Sequence, residues 1–166
     1  MALIVENGTG VANSNTYVSD VMFTDYAALR GVTIPATAIL REPLLIKAMD
    51  YIEGYRDQFQ GEKTDYLQSL QWPRYSVYID GYDIGSNTIP AELKNAQIEA
   101  AILVNSTPLL ESGATLNVQK EKVDVLERTY FEGGKWSALR TDNIDVWLNV
   151  LTSNRSTGIN AMITRI

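Results

Sequence analysis

The stretch Arg41-Glu42-Pro43-Leu44-Leu45-Ile46-Lys47-Ala48-Met49-Asp50-Tyr51-Ile52-Glu53-Gly54 decides the fold class. Leu44, Leu45, Ala48, Met49 and Ile52 recur at i, i+1, i+4, i+5 and i+8, the spacing of one apolar face of a helix. Lys47, Asp50 and Glu53 take the other side and read as a solvated edge. Pro43 suits a first turn, because the amide it lacks would be unpaired there anyway. Gly54 marks a weak point near the end. Tyr51 and Tyr55, at i and i+4, can stack along one edge.

Working outward, the same logic finds three more helices. Ser19 can cap a helix over about Asp20–Arg30, with Gly31 at its C′ position. Val21, Phe23, Tyr26, Ala27 and Leu29 give it a ragged apolar face, and Val32 to Ala38, broken by Pro35, reads as a loop. Ile89-Pro90 opens a helix over roughly Pro90–Ser106, whose small-residue face is Leu93, Ala96, Ala100, Ala101 and Val104. Thr141 caps a fourth through about Leu151. Thr64-Asp65 could cap a short helix through Leu70. Leu3-Ile4-Val5 suits a strand, and Asn7-Gly8 is a turn signal. Tyr75 to Asn87 reads as a loop or irregular hairpin. Residues 116–131 alternate imperfectly, with Val123 and Val125 among them, and suit a strand or hairpin. The fold expected is mainly α: a small helical bundle with a β-hairpin over residues 1–157, and an extended C-terminal arm over 158–166.

Composition narrows the chemistry. The 166 residues fit one domain with room for a core. There is no cysteine, which removes disulfides, thiol nucleophiles and zinc–thiolate sites. There is no histidine, the usual general base at neutral pH. No motif supports an enzyme, so none is expected, and no cofactor or metal either. Fourteen Lys and Arg against twenty Asp and Glu leave a net charge of −6. A nucleic-acid binder draws its affinity from cations placed on phosphates, and the cations here are scattered among acids. No apolar run approaches a membrane span, and the first residues lack the basic start of a signal peptide.

Several clusters resemble sites without meeting their requirements. Asp80, Asp83 and Asn87 miss the spacing of an EF-hand loop, and the next Glu comes only at Glu92. Gly8-Thr9-Gly10 lacks the third glycine of a dinucleotide fingerprint. Asp50 and Glu53 could share a helix face as a carboxylate pair, but a solvent-facing edge is the simpler reading. Trp72, Arg74, Tyr75 and Tyr78, with Tyr82 nearby, could stack single-stranded bases. Tyr, Trp and Arg also concentrate in interface centres, so a core plug with a subunit contact is preferred. The candidate subunit interface is therefore Trp72, Arg74, Tyr75, Tyr78, Val123 and Val125. The closing stretch sets Ile159, Met162, Ile163 and Ile166 after a turn-rich linker. An apolar arm of that kind pairs within its own fold or adds to a partner.

Four pieces of sequence carry a resemblance: Ala2 to Val18, Ala48-Met49-Asp50-Tyr51-Ile52, Leu70-Gln71-Trp72-Pro73-Arg74, and Ile89 to Gln97. In that order they resemble a phage family often labelled DnaT-like single-stranded-DNA-binding, which is similar to the head–tail adaptor, or head-completion, proteins of tailed phages. The resemblance implies a homo-oligomeric ring, usually of twelve copies, below the portal protein. Ile159, Met162, Ile163 and Ile166 would then form the portal-binding arm, and the opposite face would receive neck or tail proteins. Genome DNA would pass through without specific binding. The location implied is the virion's head–tail junction, with the host cytoplasm during assembly. The alternative is the single-stranded-DNA-binding module that the family label names.

Overall fold

A computed structural model describes residues 2–106 and 142–153. They form a mainly α fold with two small antiparallel hairpins. In chain order the elements are α1 (Asp20–Arg30), α2 (Ala38–Glu53), β1 (Glu62–Lys63), β2 (Arg74–Tyr75), β3 (Val77–Ile79), β4 (Tyr82–Ile84), α3 (Ala91–Ser106) and α4 (Asp142–Leu148). Residues 116–131 and the arm at 158–166 lie outside the described residues.

Local chemistry sets α1. The Ser19 hydroxyl accepts from the Met22 amide, and Gly31 ends the helix with φ 64°. Phe23, Tyr26 and Ala27 turn inward, whereas Val21 and Leu29 stay exposed. Tyr26 links α1 to α3, its hydroxyl donating to Glu99 at 2.6 Å while the Arg30 guanidinium lies 3.4 Å over its ring. Burial, reinforced by Glu99, pushes the Tyr26 phenol up to about 12.

The second helix begins five residues before Pro43, so the expectation that this proline sits in the first turn is corrected. The reason is a distant partner. Arg41 donates to both carboxylate oxygens of Asp20, each at 2.6 Å, and to the carbonyls of Pro35 and Ala36. These bonds hold the first turn in place, and the helix tolerates one missing amide at Pro43. Leu45, Ala48, Met49 and Ile52 are buried, as their spacing requires, and pack against α3. The tyrosine edge also forms: Tyr51 and Tyr55 meet edge-to-face at 5.5 Å, with their hydroxyls 2.8 Å apart.

No helix forms over Thr64 to Leu70. The chain instead winds around the buried side-chain amide of Gln68. Its oxygen accepts from the Thr64 hydroxyl and the Asp65 amide, and its nitrogen donates to the carbonyls of Leu70 and Pro73. Those bonds satisfy backbone groups that a helix would otherwise have paired. The strand expected at Leu3–Val5 shrinks to a single bridge, Val5 to Thr16. The hairpins pair Glu62 with Tyr75 and Lys63 with Arg74, then Tyr78 with Asp83 and Ile79 with Tyr82. Gly61 must be glycine here, because a Cβ would sit 2.0 Å from the Tyr75 carbonyl oxygen.

The last described helix, α4, packs on α3 and buries Ile144 and Leu148, with Leu151 just beyond. Its end is strapped to the chain that leaves α2. Gln60 donates its amide to the Leu151 carbonyl at 2.9 Å, and Ser153 donates to Gln58 at 2.8 Å.

At the centre sits Gln97, fully buried on α3. It accepts from the Tyr17 amide at 2.9 Å and donates to the Thr16 hydroxyl at 2.8 Å and the Leu45 carbonyl at 2.9 Å. Gln97→Leu keeps the volume but leaves the buried Tyr17 amide without its partner, while the Leu45 carbonyl keeps its bond from the Met49 amide within α2. At about 1–3 kcal/mol for a buried group left unpaired, the loss should be about 1–3 kcal/mol. Urea denaturation checks it, and near wild-type stability would refute the central role.

A second stability prediction concerns pH. The Arg41 guanidinium holds the Asp20 carboxyl below its usual range. A lowered folded-state pKa gives stability that is present above the ordinary carboxylate range and lost as pH falls through the folded value. Asp20→Asn should cost about 1–2 kcal/mol at neutral pH for this bidentate, partly exposed pair. The gap should close in acid, where the wild-type carboxyl protonates. A gap that held constant down to strongly acidic pH would contradict the ion-pair origin.

Candidate functional site

Residues of three of the four motif pieces, Tyr17, Gln71 with Trp72, and Gln97, meet in one polar network, joined by Glu53 one residue beyond the second piece. From Gln97 the path runs to Tyr17, whose hydroxyl donates to Glu53 at 2.5 Å. Glu53 also accepts from the Gln71 amide at 3.0 Å, and the Trp72 amide donates to the Tyr17 oxygen at 3.2 Å. The sequence reading of Glu53 as part of a solvated edge is therefore corrected: Asp50 faces out, while Glu53 turns in. Burial raises the Tyr17 phenol well above its ordinary range, and the neighbouring Glu53 charge adds to that. Burial likewise raises Glu53, opposed by the bonds from Tyr17 and Gln71. The phenol thus stays protonated and donates to the Glu53 carboxyl. The pair ties the Tyr17 segment, the end of α2 and the Gln71–Trp72 stretch together.

The glycine-rich turn is also spoken for. Glu6 is buried and accepts from the amides of Gly8 at 2.8 Å, Gly10 at 3.0 Å and Val11 at 2.7 Å, and from the Ser14 hydroxyl at 3.3 Å. Converging backbone amides of this kind commonly hold phosphate. Here a carboxylate of the same chain fills the position. A shallow cleft of about 340 Å³ lies beside the turn, lined by Gly8, Thr9, Thr64, Asp65, Leu67 and Ser86 among others. Among the described residues no group of three or more Asp and Glu could hold a metal ion.

The aromatic candidates divide. Trp72 and Arg74 are interior, which fits the core-plug half of the sequence reading. Phe59 packs edge-to-face on Trp72 at 5.8 Å. Arg74 donates to the carbonyls of Gln60 and Gly61, each at 2.7 Å. An arginine beside three tyrosines reads like an interface signal, but its guanidinium is consumed in closing a loop. Tyr75 and Tyr78 are surface residues, 42% and 57% exposed, and Tyr82 at the hairpin tip is 77% exposed. Tyr75 donates to Glu62, and Tyr78 stands opposite Asp83, so the face is both aromatic and acidic. Tyr66 and Leu67 are exposed as well, at 92% and 84%; they were missed because the segment was expected to be helical. Val123 and Val125 of the candidate interface, and the arm residues Ile159, Met162, Ile163 and Ile166, lie outside the described residues.

Charge completes the description. Residues 2–106 and 142–153 carry seven Lys and Arg against fifteen Asp and Glu, a net −8 within a chain of −6. Four of those cations have partners inside the domain: Arg41 on Asp20, Arg74 on carbonyls, Lys63 on the Gln68 carbonyl, and Arg30 over Tyr26.

Over residues 1–166 the sequence matches the family described as "Putative DnaT-like ssDNA binding protein", and the chain belongs to that family. No curated protein and no solved structure matches it.

Truncating each aromatic separates core from face. Trp72→Ala should cost about 3–5 kcal/mol, whereas Tyr78→Ala and Tyr82→Ala should each stay within about 0.5 kcal/mol of wild type. Thermal and urea unfolding read both, and a tolerated Trp72 truncation would return that residue to the surface.

Proposed function

We propose that this member of the DnaT-like family is a non-enzymatic assembly subunit, and more specifically a head–tail adaptor of a tailed phage. In this reading copies form a ring that joins the portal to the neck or tail and continues the DNA channel. One observation carries it: the charge of the described residues, −8 within a chain of −6. Affinity for a phosphate backbone comes mainly from Lys and Arg that displace counterions. A domain of net −8, with most of its cations engaged internally, repels phosphate instead. That suits a wall past which DNA slides without adhering. The tyrosine face at Tyr75, Tyr78 and Tyr82 suits contact with protein, because tyrosine gives large amphipathic area at low entropic cost. The arm at Ile159, Met162, Ile163 and Ile166 would supply the portal contact.

The second reading is single-stranded-DNA binding. Family membership speaks for this reading and lends no weight to the first. Exposed tyrosines at Tyr75, Tyr78 and Tyr82 could stack bases. It requires cations to accompany them, and the hairpin face offers Glu62, Asp80 and Asp83 instead.

Two measurements separate the readings. A fluorescent oligonucleotide titrated with the full chain at low salt should show no binding at micromolar protein. Saturable, salt-sensitive binding that is lost in Tyr78→Ala would replace the adaptor reading with the second. Mixing the chain with portal protein and imaging the particles should reveal a ring seated on the portal. Portal that stays bare would sink the adaptor reading.

A further inference from the structure

The second helix is apolar on two sides, and only one of them faces the core. Leu45, Ala48, Met49 and Ile52 are buried against the bundle. On the opposite side Ile39, Pro43 and Ile46 form a second stripe, with Ile39 81% exposed and Leu40 beside it 59% exposed. A helix apolar on both faces normally has both covered. Among the described residues α2 packs on α3 and, near its start, on α1.

The spacing of the outer stripe points to its occupant. Ile39, Pro43 and Ile46 follow steps of four and three, the seam of a two-stranded coiled coil. Glu42 and Lys47 flank that seam on opposite sides, five residues apart. When two such helices lie parallel about a two-fold axis, each residue on one flank faces the partner residue five positions further along on the other flank. Glu42 of each copy would therefore meet Lys47 of the other, giving two ion pairs. An antiparallel arrangement would set Glu42 against Glu42 and Lys47 against Lys47. Asp50 takes the next seam position, where two like charges would oppose each other, so the contact stops there.

We propose that the outer stripe of α2 is a self-association surface, on which a second copy of this chain docks with its own α2 parallel. The contact closes on itself at two copies. It describes the free protein and rests on neither reading of the function.

The chain has no cysteine, so a single introduced one reports position without interference. In a parallel two-fold seam identical residues face each other. Ile39→Cys should form a covalent dimer on mild oxidation, and Val146→Cys, an exposed control on α4, should not. Sedimentation of the full wild-type chain should show a concentration-dependent monomer–dimer equilibrium. Ile39→Glu should weaken it by about tenfold or more, since two apolar side chains lose their burial. Glu42→Lys and Lys47→Glu should each weaken it, and the double reversal should restore it. Circular dichroism confirms that each variant stays folded, as expected for substitutions on a solvent-facing stripe. A wild-type chain that remains monomeric at every concentration overturns the proposal, including the case where residues 107–141 or 154–166 of the same chain cover the stripe. So does association indifferent to Ile39, or a double reversal that fails to restore it.

Discussion

A single buried amide organises this fold. Gln97 lies inside α3 with no water available to it, so each of its polar atoms must be satisfied by protein or the helix cannot pack where it does. Its partners come from two other parts of the chain, the Thr16–Tyr17 segment and the Leu45 carbonyl of α2. With Tyr17 fixed, its phenol can reach Glu53 and receive the Trp72 amide. With Trp72 fixed, Arg74 can close the loop at Gln60 and Gly61, and the hairpins follow. Buried networks of this kind favour one packing, because a shift leaves a buried group without a partner.

What the sequence reveals depends on how local the cause is. The bounds of α1 are legible because Ser19 and Gly31 act within a turn of the ends they define. The third helix and the Tyr75–Asn87 hairpin are legible for similar reasons. The start of α2 is not, since it depends on Arg41 finding Asp20, twenty-one residues away. Gln97 sits among Leu93, Ala96 and Ala100 on a face that reads as apolar, and nothing in its type announces that it is interior. Glu53 and Gln68 mislead in the same way. A polar residue inside and a polar residue outside look alike in a periodicity, and only the distant partner tells them apart. The tyrosines show the converse, with Trp72 and Arg74 drawn inward by packing while Tyr75 and Tyr78 stay at the surface.

Three of the four sequence pieces feed this internal network, through Tyr17, through Gln71 with Trp72, and through Gln97, with Glu53 one residue beyond the second piece. Glu6 of the first piece closes its own glycine turn. In this chain those residues are spent on folding, and the surfaces left open among the described residues include the acidic tyrosine face and the outer stripe of α2.

The glycine turn near the start illustrates how a fold can settle a question of binding. Three converging amides make a socket for a small anion, and Gly8 lets it press close to Asn87, where any Cβ would lie 2.0 Å from the carbonyl oxygen. Glu6 plugs that socket from within. The plug tightens the loop and also bars it to nucleotide and nucleic-acid phosphates, which would have to displace a tethered carboxylate at very high local concentration. A neutral residue in place of Glu6 would leave the socket open to phosphate or sulphate. The distance between a closed structural turn and an anion receptor in this scaffold is thus one side chain.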